Sequence, residues 1–437
     1  MGHLVTRLVG VSTALFTDHY ELTMLNAAVR DGTAQRHCVF EVFARRLPTG
    51  RRYGVVAGTG RLIEALADYR FGADEIDFLR RTGVVDDDTA AWLAGYRFGG
   101  DIHGYAEGEL YFPGSPILTV SGTFADCVLL ETLVLSILNF DSAVAAAAAR
   151  MVTAARGRPL IEMGSRRAHE QAAVAAARAA YLAGFTFTSN LEAGRRYGIP
   201  TAGTAAHAFT QLHDDEPAAF ASQINALGKN TTLLVDTYDI SGGIRRAIAV
   251  AGPDLRAVRI DSGDLSVMAQ QSRELLDSLG ALDTQIVVSG DLNEHAIAAL
   301  AAEPVDAYGA GTAVVTGSGA PTAELIYKLV EVDGRPVAKR SRHKATIGGR
   351  KTAVRRHKPT GTATEEVVAA RGEPEPAPHD RVLQRPYVIG GDPVSDLPTL
   401  ADARERVRAG LVSVPWDGLK LSAGDPAVPV TIIGGDT

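Results

Sequence analysis

Cysteine is scarce in this chain of 437 residues, which contains only Cys38 and Cys127. Two cysteines cannot build a zinc site or a disulfide framework, so a reducing cytoplasm is the expected compartment. Basic residues are not in excess either, because the formal net charge is -7. An acidic chain is not expected to bind nucleic acid or an anionic membrane by general electrostatic attraction. Any phosphate group must therefore be bound by local arginines and backbone amides.

Long hydrophobic runs are also absent, and no apolar run has the length expected of a membrane span. The first residues carry His3 and Arg7 among apolar ones and lack a secretory cleavage pattern, so no signal peptide is expected. The chain is 46% hydrophobic and 22% charged, which is ordinary for a globular enzyme. Its length indicates more than one domain.

Three segments of different character divide the chain. Residues 1–157 mix strand-like and helical pieces without a regular rhythm, which indicates an N-terminal α+β domain with a sheet and a buried helix. Residues 158–334 repeat a short apolar run followed by a helical segment at intervals of roughly 25 to 40 residues, the pattern of parallel βα units. Residues 335–437 begin with a basic stretch that is expected to be solvated or partly disordered, and they end in a small packed unit.

The apolar runs of the central segment are continuous rather than alternating, so these strands are expected to be buried on both faces. They are PLIEM, IPTAGT, TTLLVD, AVRID, QIVVS and VDAYGAG. Polar residues follow nearly every run, and enzymes on (β/α) barrels carry their sites at the carboxyl ends of the strands. A (β/α) barrel is therefore favoured over an open doubly wound sheet, and the polar residues are expected to meet at one rim.

The string RIDSGD, residues 259–264, follows one of these strands. Arg259 carries a rigid, permanently charged fork that suits a planar carboxylate or a phosphate. Asp261 and Asp264 can accept hydrogen bonds from sugar hydroxyls or hold a metal carried by a polyphosphate. The structural alternative is a helix start capped by Ser262 or Asp264, and the two interpretations are compatible.

Arginines and small residues at other strand ends extend the set of candidate anion-binding groups. EMGSRRAHE places Arg166 and Arg167 at a predicted helix start, where cations are unfavourable to the helix dipole and a bound anion explains them better. VSGDLNE and GAGT place small residues directly after strands, where backbone N–H groups can hold a phosphate. An exposed basic helix end and ordinary tight turns are the alternatives. The candidates in these two turns are Ser289, Gly290, Asp291, Gly309, Gly311 and Thr312.

His207 stands in GTAAHAF, just after a predicted strand and among small side chains. Imidazole is a good nucleophile towards phosphoryl groups and titrates near neutral pH. A purely structural role is the alternative for a single histidine. Thr204 and the neighbouring glycine and alanines leave space around the ring, and either Glu162 or Asp236 is a candidate to orient it.

In their order along the chain, these strings resemble the nicotinate phosphoribosyltransferase family, within the type II phosphoribosyltransferases. The resemblance runs from TDHYELTM, residues 17–24, to KLVEVDGRPVAKRS, residues 328–341. It implies an irregular α/β barrel with an N-terminal sheet domain and a small C-terminal region, in a cytoplasmic homodimer with shared active sites. It also implies that nicotinate and 5-phosphoribosyl 1-diphosphate give nicotinate mononucleotide and diphosphate, with ATP as co-substrate, as the first step of NAD salvage from nicotinate. Mg²⁺ would enter with the diphosphate rather than on protein ligands.

The resemblance also implies roles for individual residues. His207 matches the histidine that ATP phosphorylates, Arg259 matches the contact to the ring carboxylate, and Asp261 matches an acceptor for a ribose hydroxyl. Tyr20 from a partner subunit would stack on the pyridine ring, and Met163 stands where relatives often carry phenylalanine and can still pack on the ring. Further substrate contacts are implied at Arg166, Asn190, Thr204, Asp264, Arg45 and Lys328, and at the turns around Gly290 and Gly311.

Nicotinate is favoured over nicotinamide as the base. In the alignment with the family, Asn190 stands where the nicotinamide enzyme carries an aspartate, so no fixed negative charge repels a carboxylate. A nicotinamide phosphoribosyltransferase and a non-catalytic phosphate-ligand sensor on the same barrel are the alternatives. Quinolinate phosphoribosyltransferase is less favoured, because a dicarboxylate would require more basic residues and no ATP-phosphorylated histidine.

Overall fold

A computed structural model describes residues 12–339, 346–375 and 377–435. The chain divides into two compact units, one formed by Met1–Ser142 with Thr322–Thr437 and the other by Ala143–Pro321. The sequence predicted three segments, with boundaries at residues 157/158 and 334/335, whereas the structure has two units with boundaries at 142/143 and 321/322. The N-terminal and C-terminal parts form one unit because strands from both pair in a single sheet. The prediction for the first residues lies outside the described part of the chain.

The first unit contains most of the mixed α+β structure. Its helices are α1 His19–Asp31, α2 Thr59–Ala67, α3 Ala73–Thr82, α4 Asp87–Ala94, α5 Phe124–Val128 and α15 Leu400–Ser413, and α6 Glu131–Ala155 begins in it. Its strands are β1 His37–Ala44, β2 Gly54–Val55, β3 Asp101–Tyr105, β4 Leu110–Tyr111, β5 Leu118–Thr123, β12 Leu325–Val332, β13 Arg335–Pro336, β14 Thr352–His357, β15 Ala363–Ala369, β16 Arg381–Val382, β17 Gln384–Ile389, β18 Asp392–Pro393 and β19 Val430–Ile433.

A seven-stranded sheet in the order β13-β12-β1-β5-β3-β17-β18 forms the centre of this unit. All of its neighbouring strands are antiparallel, and the interior strand β1 is buried along most of its length. A four-stranded sheet, β16-β14-β15-β19, and the pair β2-β4 complete the strands. Helix α3 begins after Gly72, which caps it, and the Gly72 N–H donates to Glu75 at 2.8 Å.

The basic C-terminal stretch is ordered where the structure describes it, so the expectation of a solvated excursion is wrong for β14 and β15. The Lys351 ammonium donates to the Glu41 carboxylate at 3.0 and 3.2 Å. The Arg355 guanidinium donates to Glu366 at 2.7 Å and to Glu109 at 2.5 Å. All five side chains are almost completely buried, so cations that look solvated in the sequence are neutralised inside the unit.

The second unit is a curled sheet of parallel strands, which confirms the predicted fold class. Its six strands are ordered β7-β6-β11-β10-β9-β8, with β7 and β8 at the two edges. The strands are β6 Leu160–Glu162, β7 Phe187–Thr188, β8 Thr232–Leu234, β9 Ala257–Ile260, β10 Gln285–Gly290 and β11 Ala307–Ala310. The helices are α7 Glu170–Ala183, α8 Leu191–Tyr197, α9 His207–Leu212, α10 Glu216–Leu227, α11 Ile240–Ala251, α12 Leu265–Ser278, α13 Glu294–Ala299 and α14 Thr312–Val315.

One predicted strand is wrong. In IPTAGT only Thr201 makes a bridge, to Thr188 of β7, with hydrogen bonds from the Thr188 N–H to the Pro200 carbonyl and from the Ala202 N–H to the Thr188 carbonyl. β7 itself was not among the predicted strands, because its two residues are too short to show a pattern. Residues 203–206, which precede His207, make no bridge to the sheet.

Among the described residues, one apolar helical stretch has the length and composition of a membrane span, contrary to the expectation that no apolar run is long enough. It is Phe124–Ala155, and 67% of its most apolar window is buried inside the structure. A mostly buried apolar helix of this kind is typical of a protein core.

Candidate active site

The carboxyl ends of β6, β10 and β11 lie side by side in the second unit. Ser289 pairs with Gly309 and Gly290 with Ala310, and Ala310 pairs in turn with Glu162. The turns that follow these strands therefore start at the same level of one sheet edge. The string VSGDLNE, the string GAGT and the start of EMGSRRAHE meet there, although more than a hundred residues separate the first from the last.

Arg259 on β9 is held in place by two neighbours. Its Nε donates to the Ser289 hydroxyl at 2.7 Å, and Nη2 donates to the Asp261 carboxylate at 3.1 Å. The Ser289 hydroxyl also donates to the same Asp261 oxygen, which closes a three-membered network. The Arg259 side chain is only 16% exposed, and its Nη1 is not used by this network. A preoriented guanidinium of this kind can bind a planar anion with little loss of conformational entropy.

Asp236 fixes the turn that carries Asp261. Its Oδ2 accepts hydrogen bonds from the Asp261 backbone N–H at 2.8 Å and from the Ser262 hydroxyl at 2.7 Å. Its Oδ1 is buried and has no hydrogen-bond partner among the described residues. A buried carboxylate oxygen without a hydrogen-bond donor lowers the stability of the fold. This atom is therefore suited to accept a hydrogen bond from a ligand hydroxyl or to contact a cation of a bound ligand.

Asp264, the last acid of RIDSGD, caps helix α12. Its carboxylate accepts from the backbone N–H groups of Ser266 at 3.2 Å and Val267 at 3.5 Å. These contacts confirm helix capping, the structural alternative for Asp264. Asp264 is exposed and keeps its second carboxylate oxygen for other partners.

Met163 lies over Gly309 at the same sheet edge. A Cβ atom added to Gly309 would lie 2.8 Å from the Met163 Sδ and 3.0 Å from the Ser289 Cβ. A glycine is therefore needed for the thioether to lie flat against β11. A cavity of about 490 Å³ in this unit has Met163 and Thr204 in its lining, but most of its other lining residues lie at the amino ends of the strands, among them Arg256, Gln285 and Asp306. Its size is within the range of small-molecule sites.

His207 is the first residue of α9 and is half-buried. Its Nδ1 lies 3.2 Å from the Thr237 hydroxyl, which directly follows the buried Asp236. Neither Glu162 nor Asp236 orients the ring, contrary to the expectation from the sequence. Thr237 was missed because a single threonine after a strand has no distinctive pattern.

Glu162 and Asn190 hold the backbone beside this edge. Glu162 is 1% exposed, and its carboxylate accepts from the Gly164 N–H and from the Thr188 hydroxyl, the latter at 2.6 Å. Burial raises the pKa of Glu162 above its ordinary value. The Asn190 side chain caps α8 through the Ala193 N–H at 2.9 Å and donates to Ser165 at 3.1 Å. Asn190 is thus committed to helix capping and to the turn after β6.

Five further candidates are exposed at the loops of this unit. Helix α7 begins at Glu170 with His169 as its cap. Arg166 and Arg167 therefore lie in the turn before the helix, whereas the sequence predicted them at the helix start. Gly311 caps the short helix α14, whose first backbone N–H groups have no partner within the helix. The exposed candidates are Arg166, Thr204, Gly290, Asp291 and Thr312.

Three candidates lie in the first unit, and two of them contact the same carboxylate. The Tyr20 hydroxyl hydrogen-bonds to Glu131, and the Lys328 ammonium lies 3.7 Å from Glu131 Oε1. Burial, with the negative charge of Glu131, raises the pKa of Tyr20 to about 12, although the side chain is 44% exposed. Arg45 is exposed directly after β1. Glu131 was missed because it lies in a strongly apolar helical run that indicates only burial.

Within residues 12–339, 346–375 and 377–435, no group of three or more histidine, cysteine, aspartate or glutamate residues could hold a metal ion. Both cysteines are buried as free thiols. Burial raises the pKa of Cys38 to about 11.

Two family models match the chain, one in each unit. The model described as the nicotinate phosphoribosyltransferase N-terminal domain matches residues 15–139. The model described as the quinolinate phosphoribosyl transferase C-terminal domain matches residues 144–319. The second match coincides with the unit that carries the parallel sheet.

Full-length relatives are similar over almost the whole chain. The nicotinate phosphoribosyltransferase pncB1 of Mycobacterium tuberculosis is 63% identical over 429 residues, which cover 96% of this chain and 95% of the relative. The nicotinate phosphoribosyltransferase of Bacillus subtilis is 37% identical over 359 residues, or 79% of this chain and 73% of the relative. The structure of human nicotinic acid phosphoribosyltransferase is similar with a TM-score of 0.84 at 27% identity, covering 95% of this chain and 97% of the human one.

Proposed function

The chain belongs to the nicotinate phosphoribosyltransferase family, and we propose that it joins nicotinate to 5-phosphoribosyl 1-diphosphate in the first step of NAD salvage from nicotinate. One ATP is hydrolysed for each nicotinate mononucleotide formed, and diphosphate, ADP and phosphate are the other products. The observation that best supports this function is the network of Arg259, Ser289 and Asp261 beside Met163, at the strand ends where the family's motifs meet.

Nicotinate binds with its carboxylate on Arg259 and its ring against Met163. Ser289 and Asp261 engage one side of the guanidinium, so the N–H groups on its other side remain for the carboxylate. An ionised nicotinate carboxylate gains a charge-assisted hydrogen bond there that a neutral amide makes more weakly. Because Asn190 is uncharged and committed to capping α8, no carboxylate of that residue repels the substrate. Nicotinate is therefore the preferred base.

The ribose and diphosphate lie over the loops of the same edge. Asp261 and the Oδ1 of Asp236 accept hydrogen bonds from the ribose hydroxyls. The negative charge of the two carboxylates stabilises the positive charge that develops at C1 in the oxocarbenium-like transition state. Arg166 and the backbone N–H groups around Gly290 and Gly311 bind phosphate oxygens. The nicotinate nitrogen already carries a lone pair, so the bond from C1 to diphosphate breaks and the bond to nitrogen forms without a protein base.

The diphosphate would carry Mg²⁺ into the site. The carboxylates of Asp236, Asp261 and Asp264 would accept hydrogen bonds from the waters of a diphosphate-bound Mg²⁺ rather than coordinate the ion directly. When bound, the ion offsets the negative charge of the departing diphosphate.

His207 couples ATP to the transfer as a phosphohistidine. With a proton on Nδ1, the ring donates to Thr237, and the lone pair on Nε2 is free to attack the γ-phosphate of ATP. ADP then leaves, and water later releases phosphate from Nε2. Phosphorylation shifts the enzyme towards a state that binds 5-phosphoribosyl 1-diphosphate tightly, so each ATP biases an exchange that is otherwise reversible.

Tyr20 completes the site of a second subunit in a cytoplasmic homodimer. Its ring is exposed while its hydroxyl is held by Glu131, so the aromatic face is presented outward in one orientation. Lys328 partly offsets the charge of that glutamate. Arg45 is a further basic contact to phosphate.

A competition assay tests the base preference. The purified protein receives equal concentrations of nicotinate and nicotinamide with labelled 5-phosphoribosyl 1-diphosphate, ATP and Mg²⁺, and the two nucleotides are separated. Nicotinate mononucleotide should be the dominant product. A preference for nicotinamide would identify a nicotinamide phosphoribosyltransferase, and binding of both ligands without any nucleotide or ATP hydrolysis would identify a sensor.

The His207→Ala variant tests the coupling. Because the transfer itself uses other residues, the variant should retain a weak transfer that does not depend on ATP and should lose the ATP hydrolysis stimulated by nicotinate. Arg81→Ala, on the exposed face of α3 where Arg81 pairs with Asp77, is the matched control and should keep the coupling ratio of the original protein. Unchanged stoichiometry between ATP and nucleotide in His207→Ala would refute the phosphohistidine.

A further inference from the structure

A second cavity lies in the first unit, and none of its lining residues has a role in the proposed reaction. Its volume is about 420 Å³, within the range of small-molecule sites. The turn between β14 and β15 forms one side, and helix α15 forms the other. Five of its lining side chains are basic, and its lining, taken from the described residues, includes no aspartate or glutamate. The basic residues are His357, Lys358, His379, Arg381 and Arg406.

The ion pairs beneath the cavity do not neutralise all of these cations. Arg381 donates to Glu109 at 2.5 and 2.9 Å, and Arg355 donates to the same glutamate and to Glu366. Two arginines therefore face two carboxylates in this buried cluster, and their charges balance. The positive charges of Lys358 and Arg406 are additional to the cluster.

Arg406 is held with part of its guanidinium unused. Its Nη1 donates to the Glu107 carbonyl at 2.7 Å, and the described residues make no other hydrogen bond to it. On its own helix, Asp402 accepts from Thr399 and is exposed, and the charge of Arg406 contributes, after the Thr399 hydrogen bonds, to lowering the pKa of Asp402, but no ion pair joins the two side chains in the described residues. The remaining guanidinium N–H groups of Arg406 are thus available to a ligand in the cavity.

Lys358 begins the turn on the opposite side. The turn is closed by hydrogen bonds from the Lys358 N–H to the Thr362 carbonyl and from the Gly361 N–H to the Lys358 carbonyl, both at 2.8 Å. In the described part of the chain, Lys358 has no carboxylate within ion-pair distance. The cavity therefore combines a lysine on a hydrogen-bonded turn and an arginine held by one hydrogen bond on a helix, with two histidines among its lining residues.

We propose that this cavity binds a phosphoryl group of a small metabolite, with Lys358 and Arg406 as its principal contacts. A phosphoryl group carries up to two charges and three acceptor oxygens pointing in different directions, which suits separate cations on opposite walls. A site of this kind gives the enzyme a place to respond to phosphate, diphosphate or ATP apart from the strand ends of the second unit. The net charge of -7 disfavours a nucleic acid as the source of the phosphate.

Titration calorimetry with inorganic diphosphate tests the proposal. The Lys358→Gln/Arg406→Gln variant removes both charges, and Arg408→Gln is the matched control, since Arg408 lies on the same helix but pairs with Glu405 outside the cavity. The original protein and the control should bind one equivalent more than the double variant. This difference is independent of whether diphosphate also binds in the second unit, so it stands or falls separately from the proposed reaction.

Two further arms identify the source and exclude a folding effect. Phosphate and ATP, each at matched ionic strength, show whether the site prefers a free or a nucleotide-borne phosphoryl group. The single variant Lys358→Gln changes only an exposed turn residue and should weaken the additional site about tenfold, since a charge-assisted hydrogen bond is lost. Equal stoichiometry in the original protein and the double variant, for all three ligands, would overturn the proposal.

Discussion

Replacing Lys351 by methionine tests whether the basic C-terminal stretch belongs to the core of the first unit. The Lys351 ammonium donates to both Glu41 oxygens, at 3.0 and 3.2 Å, and to the Ile347 carbonyl at 2.8 Å. The side chains of the pair are 4% and 2% exposed. Methionine has a similar volume and no charge, so the substitution removes the partner of Glu41 and leaves the packing nearly unchanged.

The expected loss follows from leaving one buried carboxylate without its cation. Removing one member of a buried ion pair costs about 3–5 kcal/mol. For a unit of this size, that loss corresponds to a decrease in Tm of about 6–20 °C. Burial raises the pKa of Glu41 to about 7 even with Lys351 present, and the pKa rises further when the lysine is removed.

The pH dependence of the loss has a definite sign. A carboxyl whose pKa is raised by folding stabilises the folded state fully below its unfolded pKa, and this contribution is lost as the pH rises through the folded value. For Glu41, the pH range over which this stabilisation is lost therefore runs from about 4.5 to about 7 in the original protein, and it extends to higher pH in the variant. Lys351→Met should thus be more destabilising at pH 8 than at pH 5.

Calorimetric unfolding at both pH values checks this expectation. The double variant Glu41→Gln/Lys351→Met also removes the unpaired carboxylate and should recover most of the loss in Tm. The control Arg81→Met breaks an exposed ion pair with Asp77 and should change the free energy of unfolding by less than about 1 kcal/mol. A variant Lys351→Met as stable as the original protein at pH 8 would mean that the stretch is not part of this core.

The other predictions concern the active site. Thr237→Val removes the hydrogen bond to His207, worth about 0.5–1.5 kcal/mol, and should slow phosphorylation by ATP about 2- to 12-fold in rapid-quench measurements; an unchanged rate would exclude the tautomer argument. Arg259→Lys loses the fork held by its two neighbours and should lower kcat/KM for nicotinate about 10- to 150-fold in steady-state assays, whereas nicotinamide turnover should fall less. Gly309→Ala places a Cβ 2.8 Å from the Met163 Sδ and should raise KM for nicotinate about fivefold or more; an unaltered KM would show that the thioether does not contact the ring.

Regular strand-helix alternation and local motifs predicted most of the second unit, except β7 and the wrongly predicted strand IPTAGT. Its strands are short continuous apolar runs, and polar residues follow them directly, so both the parallel sheet and the common edge could be inferred from one-dimensional order. Arg259, Asp261 and Ser289 contact each other across two neighbouring strands of that sheet. The family resemblance followed from the same strings and is supported by the similarity to the mycobacterial enzyme.

The sequence alone could not predict contacts between residues far apart in the chain. Glu41 and Lys351 are separated by 310 positions, so nothing local indicates that the lysine is buried. Thr237 is found only when the loop before α9 and the end of β8 are placed together. The two-residue strand β7 is too short to show a periodicity, so it was not predicted, and IPTAGT was predicted as a strand instead.

Mass spectrometry of the protein after incubation with ATP and Mg²⁺ tests the central claim most directly. The account predicts one acid-labile phosphoryl group, located by fragmentation on His207 and discharged when 5-phosphoribosyl 1-diphosphate and nicotinate are added. A preparation that hydrolyses ATP during nucleotide synthesis without any phosphoryl group on His207, or with that group on another residue, would contradict it.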